Sequence, residues 1–185
     1  MLNSTQRVAL LGLARDAIEA HLARRPMRTV DPAAGLLELR GGAFVTLRRG
    51  GELRGCIGNP ESDGPLADTV MRCAVAAAVG DPRFDPVTAA EFRLLEIEVS
   101  ALTPIEPVDD VRTIEVGRHG LIAEQNGRRG LLLPQVATEW GWDREMLLAQ
   151  TCVKAGLRPD AWRTGARLYR FEAEIFAEHG AGRMG

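Results

Sequence analysis

The tightest constraint in this 185-residue chain is a pair of short runs, Ala43–Arg48 and Glu52–Gly58, separated only by Arg49-Gly50-Gly51. Side chains alternate with a period of two on a strand, so neither run can slip by one residue without turning its apolar set to the other face. A three-residue loop with Gly in the left-handed region is a common hairpin connection. Here it predicts Arg48 opposite Glu52 and Leu47 opposite Leu53, with an apolar face of Val45, Leu47, Leu53 and Ile57. The other face is mixed: Phe44, Thr46, Arg54 and Cys56. A two-residue loop would put Leu53 on the face of Arg48 and split the apolar set, so the three-residue loop is preferred.

The rest of the chain fits around that hairpin. A first helix starts at Ser4 or Thr5, carries Val8, Leu11, Ile18 and Leu22 at helical spacing, and stops at Pro26. A second spans about 65–79, with Pro65 in its first turn and a small inward side of Cys73, Ala74 and Ala77 that implies close packing. Asp81–Pro86 holds two prolines and reads as a rigid connection. Thr88 with Glu91 resembles a capping box, and Leu95, Ile97 and Val99 alternate with Glu96, Glu98 and Ser100 as in a half-buried strand. Thr103–Pro107 is a stiff linker and the best internal boundary. Beyond it the pattern predicts strands over Thr113–Val116 and Leu121–Gln125, then a turn at Asn126-Gly127 leading into Gly130–Leu133. A helix over about 144–155 closed by Gly156 and a last strand over Arg167–Phe176 complete it. No βαβ series appears, so the class is α+β, with mainly antiparallel sheets flanked by helices. The chain reads as one domain over 1–185 with a possible subdivision near 103–107, and residues 180–185 as a disordered tail.

Composition removes several functions. With 23 basic and 25 acidic residues, the net charge of −2 argues against a general nucleic-acid or anionic-membrane binder. All but one of the basic residues are Arg; the exception is Lys154. Cys56, Cys73 and Cys152 form no Cys-x-x-Cys pair and are odd in number, against a zinc knuckle, an iron–sulfur cluster or a secreted disulfide framework. No signal peptide and no run approaching ~18 apolar residues is present, so a cytoplasmic chain is expected. Neither a phosphate-binding Gly-rich loop nor a His-Glu-x-x-His helix occurs, and no metal or cofactor is expected.

The chemistry concentrates in Leu53-Arg54-Gly55-Cys56-Ile57-Gly58. Strand period puts Arg54 and Cys56 on one face, where a guanidinium would favour the thiolate and make Cys56 a better nucleophile. Gly55 and Gly58 admit the close approach of a ligand or of a second backbone. The same pattern also describes a buried Cys in a tight sheet. His119, between glycines in Gly117-Arg118-His119-Gly120, could serve Cys56 as base, or could simply hydrogen-bond backbone. Asp81 and Arg83 form either a ligand clamp or, more simply, an internal ion pair. Cys73 and Cys152 read as core, and His21 and His179 as structural or solvent-facing.

Leu53–Gly58 is also where the chain resembles the AMMECR family, and within it the bacterial and archaeal members. The resemblance extends in order through Phe44–Leu47, Asp81–Phe84, Glu98–Ser100, Val116–Leu121, Leu132–Val136 and Lys154–Leu157, covering about residues 8 to 177. It implies an α+β fold with a larger and a smaller subdomain, motifs gathered around a cleft, and occurrence beside a Memo-type protein and a radical S-adenosylmethionine enzyme. It supplies no reaction. Three readings follow. The first is an enzyme component that binds a small or peptide substrate, with Cys56 and His119 as reacting groups, held by Arg54, Gly55, Gly58, Asp81, Arg83 and Lys154. The others are a non-catalytic interaction or adaptor module, and a nucleotide or RNA binder.

Overall fold

The structure is a computed structural model that describes residues 2–30, 35–62 and 64–178; His179 and the 180–185 tail lie outside it. The chain divides into two units. The first comprises residues 1–102 and 174–185, the second residues 103–173.

In the first unit, helix α1 (Ser4–Leu22) starts at Ser4, one of the two expected positions, but the cap is Asn3 rather than Ser4 or Thr5: its side chain accepts from Gln6 N–H while Gln6 reaches back to Asn3 N–H. Its buried stripe is Leu10, Leu11, Ala14, Ala17 and Ile18; Val8, expected in the stripe, points to solvent at 70% exposure. The helix ends at Leu22, ahead of Pro26. Strands β1 (Ala43–Arg49) and β2 (Glu52–Asn59) form the expected hairpin with a different register. Arg49 faces Glu52 and Arg48 faces Leu53, so the loop is the two residues Gly50-Gly51, both at positive φ (57° and 86°). The register then shifts by one, leaving Arg54 unopposed, and resumes with Leu47 opposite Gly55, Thr46 opposite Cys56 and Val45 opposite Ile57. That bulge restores the alternation which a two-residue loop alone would break. The cost falls on Leu53, which leaves the apolar face and stands 40% exposed.

Helix α2 (Leu66–Val79) follows, then the four-residue α3 (Ala89–Phe92), capped by the Thr88 side chain, and β3 (Leu95–Leu102). The strand order in this unit is β2-β1-β3, completed beyond β3 by the end of the last strand, β7 (Arg167–Ala177). Val45, Leu47, Ile97 and Val99 are fully buried under α1 and α2. Each such side chain contributes about 1.5–3 kcal/mol on leaving water. Gly55 sets how close α2 sits to β2: a Cβ there would lie 2.2 Å from the Ala77 carbonyl oxygen.

In the second unit the first half of β7 is flanked by the two-residue β4 (Glu106–Pro107), within the predicted linker, and by β5 (His119–Gln125), which pairs in turn with β6 (Arg128–Leu132). Asn126-Gly127 makes the turn, with Asn126 at φ 52°. The strand expected over Thr113–Val116 does not form: Asp110 caps a 3-10 turn at Val111–Thr113 instead, and Asp110 and Thr113 bond locally where a strand would need sheet partners. Helices α4 (Pro134–Glu139), not anticipated, and α5 (Arg144–Lys154) pack on β5 and β6 around Ile114, Leu121, Leu147, Leu148 and Cys152. The architecture is α+β, with antiparallel sheet flanked by helices.

Two glycines test this packing in opposite directions. Gly55→Ala should destabilise the protein by about 1–3 kcal/mol or more, because a helix backbone must move. Gly12→Ala, on α1 with nothing within 4 Å of the new methyl, should stabilise by about 0.4–1 kcal/mol. Urea unfolding midpoints measure both.

Candidate functional site

β2 is the edge strand of its sheet, so alternate N–H and C=O groups along it face away from β1 and need other partners. At Cys56 they are supplied by the loop after α2. Cys56 N–H donates to Asp81 Oδ2 at 2.9 Å, and Cys56 C=O accepts from Arg83 Nη2 at 3.3 Å. Asp81 and Arg83 are themselves locked together, Nε to Oδ1 at 2.9 Å and Nη2 to Oδ2 at 2.6 Å. The Asp81-Pro82-Arg83-Phe84 segment therefore satisfies the edge as a neighbouring strand would. The Arg83 guanidinium, helped by the Cys56 N–H, holds the Asp81 carboxyl far below the ordinary carboxylate range.

The thiol itself is half-buried and lies on the face away from α2. Thr46, directly across the hairpin, donates its hydroxyl to Cys56 Sγ at 3.4 Å. Arg54 does not turn to the thiol for a hydrogen bond. Its Nε and Nη2 meet both carboxylate oxygens of Glu91 at 2.6 and 3.1 Å, and Nη2 also reaches the Asp85 carbonyl at 2.8 Å. The Phe84 ring has the guanidinium carbons of Arg54 and Arg83 at 5.7 and 5.5 Å from its centre. Arg54 Nη1 is buried and has no hydrogen-bond partner among the described residues. The space beside Gly55 is filled by the α2 backbone and that beside Gly58 by the Phe44 ring. By contrast Cys73 and Cys152 are buried, and burial pushes both thiols upward in pKa.

His119 and Lys154 belong to the second unit. His119 is the first residue of β5, with its side chain only 7% exposed. Its Nδ1 accepts the Glu115 N–H at 2.9 Å, so the neutral ring carries its proton on Nε2. Burial, with Arg170 and Arg118 nearby, lowers its pKa and favours that neutral form. Lys154 ends α5 and is exposed. The segment around it works structurally: a Cβ at Gly130 would sit 2.2 Å from Ala155 N, and Arg128 donates to the Gly156 carbonyl at 2.8 Å. The structure thus brings Cys56, Arg54, Asp81 and Arg83 together in one unit and sets His119 in the other. Thr46 and Glu91 were not singled out from sequence. The signal for Thr46 was its strand parity with Cys56; Glu91 was read only as half of a capping box.

A two-unit α+β protein whose edge-strand thiol is held by an Asp-Pro-Arg-Phe clip is the class that fold and site define. The chain belongs to the AMMECR1 family, whose model matches residues 11–176. It is 50% identical over 179 residues to a protein of Methanothermobacter thermautotrophicus, covering 92% of this chain and 93% of that one. A protein of Thermococcus onnurineus is 49% identical, with 91% and 88% covered. The crystal structure of an uncharacterised protein from Pyrococcus horikoshii is similar at a TM-score of 0.82 and 43% identity, covering 97% of this chain and 94% of that one. None of these names states a reaction or a ligand. Among the described residues no helix is long and apolar enough to cross a membrane, and no three His, Cys, Asp or Glu side chains converge to hold a metal ion.

The clip makes a pH prediction. The folded-state pKa of Asp81 lies below its unfolded value of about 3.9, so its stabilising contribution is whole above that pH and is lost as pH falls through the folded-state value. Asp81→Asn should be less stable than the parent at pH 7, and the difference should shrink once pH drops below about 4. Thermal melts of the two proteins across that range measure it.

Proposed function

We propose that this chain is a component of a Memo- and radical-S-adenosylmethionine-associated system that presents Cys56 to a small or peptide substrate, as nucleophile or acid–base group. One observation carries the reading: the Cys56 backbone is held from both sides, by Asp81 at its N–H and by Arg83 at its carbonyl, while its thiol stays half-buried with the Thr46 hydroxyl as its one hydrogen-bond partner among the described residues. Fixing a reactive group on a strand whose own hydrogen bonds are satisfied is what precise positioning requires. The two remaining cysteines are buried in helices and lack the access. The Memo-type protein and the radical enzyme enter as partners through the family resemblance.

A second reading, a non-catalytic docking module, draws on a different observation. Arg54 and Arg83, the groups best suited to hold an anionic substrate, are engaged by Glu91 and Asp81. In the second unit, Trp140 is 70% exposed and stacked on Trp142 at 6.3 Å, and a large exposed aromatic is a common anchor for a partner.

Alkylation separates them. Iodoacetamide should modify Cys56 in the native protein and reach Cys73 and Cys152 only after unfolding. Cys56→Ser and Cys56→Ala should each abolish activity of the reconstituted three-protein system. A thiol at 56 that resists native alkylation, or full activity in both variants, removes the thiol reading. Loss of activity in Trp140→Ala with both cysteine variants active would establish the docking one.

A further inference from the structure

The second unit contains a cavity of about 360 Å³ whose walls are mostly polar. That volume falls in the range of small-molecule sites. His119, more than nine-tenths buried at its side chain, lines it. Because Nδ1 is taken by the Glu115 N–H, the other ring nitrogen carries the proton of the neutral form, and that N–H has no hydrogen-bond partner among the described residues; the nearest carboxylate oxygen, of Glu172, is 4.0 Å away. On the wall of the cavity, that N–H is a donor open to whatever enters it.

Two arginines on the same walls keep a donor in reserve. Arg118 spends Nε on Glu172 at 2.9 Å and Nη1 on Glu115 at 3.1 Å, leaving Nη2. Arg170 spends Nη1 on the Thr113 hydroxyl at 3.2 Å and Nη2 on Glu106 at 3.4 Å, leaving Nε. These unspent donors suit a carboxylate, which accepts several N–H bonds at once. The walls also carry three glutamates, Glu106, Glu115 and Glu172, against the two arginines, for a formal charge of −1 with His119 neutral. A phosphate or other dianion would enter against that charge. A molecule that brings an ammonium group together with its carboxylate would not, and the glutamates would receive the ammonium.

We propose that the His119 cavity binds an amino-acid-like zwitterion, a free amino acid or a short peptide with both termini free, its carboxylate on His119 Nε2–H and the spare arginine donors and its ammonium on the glutamates. The site lies wholly within the second unit and goes beyond the Cys56 reading: it stands or falls without any reaction at the thiol.

The test uses the whole chain and the imidazole NMR signal of His119, identified by its absence in His119→Gln. L-alanyl-L-alanine at millimolar concentration should move that signal saturably. The N-acetylated dipeptide, which lacks the ammonium, and the dipeptide amide, which lacks the carboxylate, should each bind about tenfold more weakly or worse, as expected for one lost charged hydrogen bond. Calorimetry should show the same weakening in His119→Gln and, should that variant fold poorly, in Arg170→Gln. No saturable shift with the free dipeptide, equal binding of either blocked dipeptide, or undiminished binding in a folded variant overturns the proposal. Iodoacetamide labelling of Cys56 reads the thiol separately, so the two readings can fail independently.

Discussion

The hydrogen bonds that Asp81 and Arg83 make to the Cys56 backbone are the interaction on which the first unit turns. An edge strand with open N–H and C=O groups invites pairing with any extended chain. Here a side-chain carboxylate and a guanidinium take those groups at the one residue where a thiol projects. The arrangement needs the loop to arrive at a set height beside β2, and that height is fixed by Gly55, which lets α2 descend until the Ala77 carbonyl touches the strand. Helix position, loop position and thiol support are therefore one problem with one solution. Substituting any part of it disturbs the others.

Much of the charge around the candidate sites is consumed internally. Arg54 is held by Glu91, Arg83 by Asp81, Arg118 by Glu115 and Glu172, and Arg15 by Glu178. Exposed pairs of this kind contribute little to stability. Those beside the thiol act differently, because a guanidinium bound on two edges has a fixed orientation as well as a charge. Part of the near balance of 23 basic and 25 acidic residues in the sequence is thus matched locally as ion pairs.

How much of this was legible follows from the kind of signal each element carries. Periodicity placed β3, α5 and the final strand close to where they lie, since each buries one face. The hairpin was recognised but its register was not. Pattern alone argued correctly that a two-residue loop splits the apolar set, and could not see that a bulge at Arg54 mends it by adding a residue. That error hid Thr46, which only the shifted register brings opposite Cys56. The Thr113–Val116 segment failed for a different reason: its β-branched residues suit a strand, but Asp110 offers local hydrogen bonds that cost less chain entropy than sheet pairing. The Asp81–Arg83 pair was legible as an ion pair; that it serves the Cys56 backbone depends on contacts between segments 25 residues apart.

The path of β7 sets the order in which the protein can be made. Its residues 167–173 belong to the second unit and the following ones to the first, where Glu174 bonds the Leu2 N–H and pairs with Arg7, and Glu178 clamps Arg15 and the Ile97 N–H. The second unit is thus an insertion, continuous in the chain and made before the residues that close the first. The first must wait. Its opening helix, hairpin and β3 precede their last strand in the chain, so β3 is an unfinished edge while residues 103–173 are being made. The unit that carries the thiol is the last to close.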